Sequence, residues 1–358
     1  MKLGDFTYGK NNNFNMIRLV AALAVLVTHS FAIATGDPAN EPLRGWLGMT
    51  IGDFAVDAFF VTSGFLVTAS LANRQAASEF VWARVLRIYP AILVMLVLTV
   101  LVAGPWLTSL SIPDYLGSRN TLRYLVKCST LIFGVEYLLP GVFEGNPYKA
   151  ANGSLWSMPW ELRMYILLLS LWLCARATGG EWDAKWKRAV VGVFGVACLA
   201  VVATHLAWPK FLLECHLFFM FFTGAAFYIL RNWIALSGRW ALVASVLLIT
   251  SSFSREYFFF AYNLTIAYLL FWIAYVPGGV IRHFNSIGDY SYGTYIYAFP
   301  VQQIVVTIVP GISVLMLILI SGVATLLVAI GSWHIVEKRA LSFKRRSGKL
   351  NQQPVLAS

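Results

Sequence analysis

The chain has 358 residues, of which 59% are hydrophobic and 12% charged, and its formal net charge is +11. Soluble domains carry about 25% charged and about 45 to 50% apolar residues, so half of the usual polar coat is missing and a water-facing surface cannot be closed. This excludes a soluble globular domain. In so apolar a chain the basic excess reads as loops on the cytoplasmic side of a bilayer, with no need of a nucleic-acid partner.

A helical span takes about 20 mostly apolar residues. Apolar blocks lie at 15–34, 54–72, 89–108, 159–177, 189–206, 211–230, 240–253, 258–276, 289–309 and 312–334. The stretch from Thr121 to Pro140 carries Arg123, Lys127 and Glu136 and is an eleventh candidate. The cations decide between ten and eleven. With ten spans and a cytoplasmic N-terminus, nineteen of the 27 lysines and arginines fall on the cytoplasmic side and seven outside, with Arg163 inside a span. An eleventh span would throw the clusters at 176–188, 231–239 and the C-terminus outward, against the positive-inside tendency. The expectation is therefore an all-α polytopic membrane protein of ten transmembrane helices, both termini cytoplasmic, with an external loop from about 109 to 158. The charged start and the Ala32-Ile33-Ala34 pattern also fit a cleaved signal peptide, but nine later spans need no removable signal. Residues 1–341 read as one membrane domain and 342–358 as a short, polar, disordered tail. Cys128, Cys174, Cys198 and Cys215 stand singly, with neither disulfide framework nor metal-ligand spacing.

Ionisable groups inside spans mark functional sites by default. In the first span Arg18 and His29 are eleven residues apart, which puts them on one helix face about 16 Å from each other. Arg18 lies at the cytoplasmic edge and His29 beyond mid-bilayer. His205, His216 and His334 read as packing histidines. The second span, AVDAFFVTSGFLV, buries Asp57 and brings Thr62, Ser63 and Gly64 together, which allows close helix approach. The cytoplasmic loop FVWARVLRIYP places Arg84 and Arg87 as i,i+3 neighbours, and paired guanidiniums match phosphate oxygens. They fit a generic positive-inside loop as well.

The fourth span opens NGSLWSMPWELRMY, with Ser157 as N-cap and Pro159 in the first turn. Glu161 and Tyr165 share a face, and Asn152, Trp156 and Glu161 are expected at the outer mouth of the bundle, where a sugar would approach. Trp156 also fits an interfacial aromatic belt. The ninth span opens GDYSYGTYIYAFP, with Asp289, and the last closes on SWHIVEKR, with Glu337 among cations.

Together these segments resemble the acyltransferase 3 family of integral-membrane O-acyltransferases that modify bacterial surface polysaccharides and related glycans. The resemblance runs from Asn15 to about Leu341. It rests on Arg18-x10-His29, AVDAFFVTSGFLV, Arg84-x-x-Arg87-Ile-Tyr-Pro, NGSLWSMPWELRMY and the SYGTYIY…SWHIVEK end, in that order. Ala83 stands where an arginine doublet is commoner, and Arg339 where a proline is common. The resemblance implies an acyl-CoA donor, most simply acetyl-CoA, bound from the cytoplasm, and a glycan acceptor whose hydroxyl is acylated on the far side of the bacterial inner membrane or within it. It implies that Arg84 and Arg87 hold CoA phosphates, that Arg18 steers the donor's anionic end or orients its pantetheine, and that His29 is the base, which Asp57 or Glu161 orients. Asn152, Trp156 and Tyr165 are the expected sugar contacts, and no metal is expected. Some relatives carry an SGNH-type esterase domain; here the chain is expected either to finish the reaction itself or to pass the acyl group to a separate partner, an SGNH-type esterase or another polysaccharide-assembly protein. The competing reading is a transporter or flippase for a lipid-linked glycan, but no inverted repeat or interrupted pair of helices supports it.

Overall fold

The computed structural model describes residues 1–7, 11–73 and 76–343. The tail expected from 342 onward lies, past Phe343, outside the described residues. The described chain is an all-α bundle, its one β feature an isolated bridge between Lys2 and Ala235. Its long helices are α1 Phe14–Thr35, α2 Ile51–Ala72 and α3 Ala77–Val97, then the amphipathic α4 Arg119–Thr130, followed by α5 Met158–Ala177 and α6 Trp182–Ala207. After these come α7 Leu212–Ile229, α8 Gly238–Ser251, α9 Arg255–Tyr275, α10 Ser291–Ile308 and α11 Val314–Ser332. A π-helical segment, Leu98–Ala103, carries α3 on to Leu107.

Among the described residues, eight of these helices are long and apolar enough to cross a membrane. Two of the ten expected spans fall short for different reasons. α8 has 14 residues. α10 has 18 residues but holds three tyrosines and two glutamines. It sits inside the bundle, where Gln302 Nε2 donates to Leu26 O (2.8 Å) and Gln303 Nε2 donates to Ala150 O (2.6 Å). A helix wrapped by protein satisfies polar side chains internally and need not be apolar to lipid. α11 does face lipid: Leu315, Leu319, Val323 and Leu327, one stripe at i,i+4, are each more than half exposed, a patch that water would not tolerate.

The connections gather at two ends. At the first, Leu3 N donates to Ile234 O (2.8 Å) and Asn13 Nδ2 to Ile273 O (2.8 Å). At the second, Arg255 Nε donates to Trp46 O (3.2 Å) and Asn146 Nδ2 to Gln303 O (3.0 Å). The segment 109–158 is more than an external loop. Tyr115 Oη donates to Val100 O (2.9 Å) and Tyr89 Oη donates to Thr130 O (3.1 Å), so α4 runs antiparallel along α3. The chain then returns, and Ser109 N meets Gly141 O (2.9 Å). At twelve residues, about 18 Å, α4 is too short to cross. It buries Thr121, Tyr124 and Cys128 against the bundle, while Arg123 and Lys127 on its other side reach Glu136 at 2.9 and 3.4 Å.

The tightest crossing is between α2 and α7. Gly64 lies against the backbone of Phe221, and Gly224 against that of Val61, so a Cβ at either would collide with a carbonyl oxygen. Close backbone approach through small residues is how helices associate in lipid. This contact fixes α7, and with it His216, beside Asp57.

Candidate active site

At the first end, Arg18 of α1 and Arg87 of α3 converge on Asp289, just before α10. Arg18 Nη1 lies 3.6 Å from Asp289 Oδ2, and Arg87 Nη2 donates to the same oxygen. Arg87 Nη1 is also 3.9 Å from Glu337 Oε2, and its guanidinium stands 5.5 Å over the Tyr292 ring. Arg84, one turn earlier, stands 5.9 Å from the rings of both Phe80 and Tyr165. Spacing of three residues on α3 aims both arginines at this region.

Glu161 completes the group. Ser63 Oγ donates to Glu161 Oε1 (2.7 Å), Tyr165 Oη donates to the same oxygen, and Ser63 and Tyr165 are 2.7 Å apart. Arg18, Arg84, Arg87, Glu161 and Tyr165 line one cavity of about 60 Å³. A second cavity, about 40 Å³, shares Arg18, Glu161 and Tyr292 with the first and extends to Ser157 and Tyr295. From there the polar line continues: Tyr295 Oη donates to Ser154 O (2.8 Å) and pairs with Ser157 Oγ (2.7 Å). Ser154 Oγ in turn lies 3.4 Å from His29 Nδ1. The His29 ring meets Phe299 edge-on at 5.1 Å, and Phe299 is admitted by Gly153, where a side chain would strike its ring. The α1 pair is thus bridged by residues from α5, α10 and the 3-10 turn Ser154–Ser157.

Two expectations about His29 are corrected. Asp57 does not reach it: the buried Asp57 Oδ2 accepts from His216 Nε2 and from Tyr262 Oη, each at 2.9 Å. Glu161 serves Ser63 and Tyr165 instead. The polar neighbour of His29 is Ser154, whose signal in the sequence is Asn152-x-Ser154: Asn152 Oδ1 accepts from Ser154 N (3.0 Å) and holds the turn. The expected sugar contacts are separated as well. Asn152 is fully buried, with Nδ2 on Ile296 O at 2.9 Å. Tyr165 sits with Arg84 and Arg87, at the opposite end from the mouth. Trp156 alone of the three lines a cavity at the second end, together with Asp57 and His216.

Comparisons with known proteins bear on the family of the chain. A family model described as an acyltransferase domain matches residues 11–334. The chain is similar to a protein named O-acetyl transferase of Shigella phage Sf6, 30% identical over 352 residues, covering 96% of this chain and 99% of that one. It is also similar to Nodulation protein 10 of Rhizobium leguminosarum bv. viciae, 27% identical over 376 residues, covering 95% of this chain and 96% of that one. No solved structure matches the chain. A bundle of apolar helices that crosses the bilayer several times and matches that model over nearly its whole length belongs to the acyltransferase 3 family, and is a multi-pass membrane acyltransferase.

Proposed function

We propose that the protein moves an acetyl group from cytoplasmic acetyl-CoA to a hydroxyl of a surface or exported glycan, in the bacterial inner membrane with both termini cytoplasmic. The observation that carries this reading is the succession of polar groups from Arg84, Arg87 and Arg18, through Glu161 and Tyr295, to Ser154 and His29, joined in part by two small cavities and in part by hydrogen bonds. Guanidiniums at the first end suit the anionic end of the donor, and the thioester arm follows the line inward. The cavities of about 60 and 40 Å³ hold little more than water, so the donor enters by widening and joining them. The relative's printed name, O-acetyl transferase, supports acetyl as the group moved.

With Nδ1–H directed at Ser154 Oγ, His29 keeps a lone pair on Nε2 and acts as general base. It takes the acceptor hydroxyl's proton as the oxygen attacks the thioester carbonyl. The C–S bond then breaks, and the CoA thiolate leaves and recovers the proton from the imidazolium. In the test, purified protein in detergent receives labelled acetyl-CoA and glycan from a strain deleted for this protein. Labelled glycan is expected from wild type, and His29→Ala should lower transfer at least about 100-fold with donor binding intact. Unchanged transfer in that variant would overturn the assignment of His29; absence of transfer by wild type would overturn the function.

A further inference from the structure

A third cavity, about 420 Å³, opens at the second end between α2, α7 and α9. Ligand pockets commonly measure about 300 to 1,000 Å³, with apolar walls and a few convergent polar groups. This one fits that description. Leu212, Leu213 and Phe259 supply apolar wall, Trp156 an aromatic edge, and Asp57 and His216 the buried polar floor.

The floor is built. Asp57 Oδ2 holds His216 Nε2 at 2.9 Å and is held in turn by Tyr262 Oη at 2.9 Å. His216 is thereby fixed in ring orientation, with its Nδ1 left for a ligand: among the described residues no hydrogen bond to that nitrogen is found. A histidine locked by a carboxylate on one nitrogen presents the other as a directed hydrogen-bonding group. Beside it, the His205 ring stacks on Phe259 at 3.8 Å, and its Nε2 lies 3.5 Å from Glu256 Oε1. Arg255 ties the rim by donating to the carbonyls of Gly45 and Trp46.

Position relates this cavity to the polar line. Val56 lines both it and the small cavity that holds Ser157 and Tyr295, and Trp156 precedes Ser157 in the chain. We infer that this cavity is the acceptor subsite: a pyranose ring lies with its C–H face on the aromatic and leucine walls, one ring hydroxyl hydrogen-bonded to His216 Nδ1, and Asp57 positioning His216. The inference rests on the acetyl-transfer reading and adds the place and the polar anchor of the sugar. A mixed wall of this kind suits a sugar, whose faces are apolar and whose edge is a row of hydroxyls; a lipid tail would leave Asp57 and His216 facing hydrocarbon, which is unfavourable.

The test is saturation-transfer NMR on the purified full chain with methyl glycosides of hexoses, 6-deoxyhexoses and N-acetylhexosamines, paired with the acetyl-transfer assay. At least one glycoside is expected to bind, and His216→Ala should weaken it about tenfold, the effect of losing one good hydrogen bond. Leu213→Trp fills the cavity from a half-exposed position without touching the buried pair, and should abolish binding while CoA binding persists. If no glycoside binds, or if neither variant changes the binding, the inference is overturned. Acetyl transfer whose acceptor KM is the same in both variants would likewise overturn it while leaving the proposed function standing. A sugar that binds through His216 but receives no acetyl would uphold the cavity and overturn the function.

Discussion

Arg18 of α1 and Arg87 of α3 meet on a single oxygen of Asp289, Oδ2, and both line the cavity that Arg84 and Glu161 complete. Two guanidiniums on different helices are thereby held together by one carboxylate that belongs to a third. Arg87 is bound more closely and also approaches Glu337, so it shapes the site, whereas the 3.6 Å contact of Arg18 is the easier one for a donor phosphate to replace.

Asp289→Ala leaves these partly buried cations facing each other. Removing one partner of a buried pair costs about 3 to 5 kcal/mol, and the arginine side chains here retain 24% and 16% exposure, which puts the loss near the lower end, about 3 kcal/mol. Thermal unfolding in detergent should show a clear fall in Tm; an unchanged Tm would mean that the arginines find other partners.

Arg84→Ala should raise the donor KM by about tenfold, as expected for one charge-assisted contact, with the glycan KM unchanged. Because the attraction is between charges near a water-facing end, added salt should raise the wild-type donor KM more than that of the variant. Titrations of acetyl-CoA at two ionic strengths decide this.

Ser154→Ala removes the hydroxyl 3.4 Å from His29 Nδ1. The contact is long, so kcat should drop about tenfold, against about 100-fold or more for His29→Ala. Equal losses in the two variants would mean that Ser154 does more than orient the ring.

Asn152→Ala should behave as a folding defect. Its amide bonds Ile296 O and Ser154 N in a site with no exposure, and leaving those groups unpaired costs about 1 to 3 kcal/mol. The fall in Tm should come with an unchanged acceptor KM; a rise in that KM at constant Tm would restore Asn152 to the sugar site.

Gly64→Ala places a methyl group on the Phe221 carbonyl at the α2–α7 crossing. Overpacking of this kind costs about 1 to 3 kcal/mol, and because α7 carries His216, acceptor binding should weaken with it. Yield of monodisperse protein and Tm report the first effect, glycoside binding the second.

Membrane character, the main spans and the resemblance in the motifs were legible in the sequence because each is a local property. Hydropathy is read within one window of about 20 residues, and Arg18 and His29 share a face because eleven residues make just over three turns. Partnership is not local. Asp57 and His216 are separated by 159 residues, and His29 and Ser154 by 125; nothing in either stretch says which carboxylate will face which imidazole. α10 reads as one more span, yet the amide nitrogens of its glutamines find acceptors only because α1 and the 148–150 segment lie against it. The sequence alone determined that the chain lives in a bilayer and which polar side chains are carried into it. The tertiary structure decided their pairing, by the close crossing of α2 and α7 at Gly64 and Gly224 and by the folding of the 109–158 segment along α3, because a buried polar group takes whichever partner the packing brings within hydrogen-bond distance.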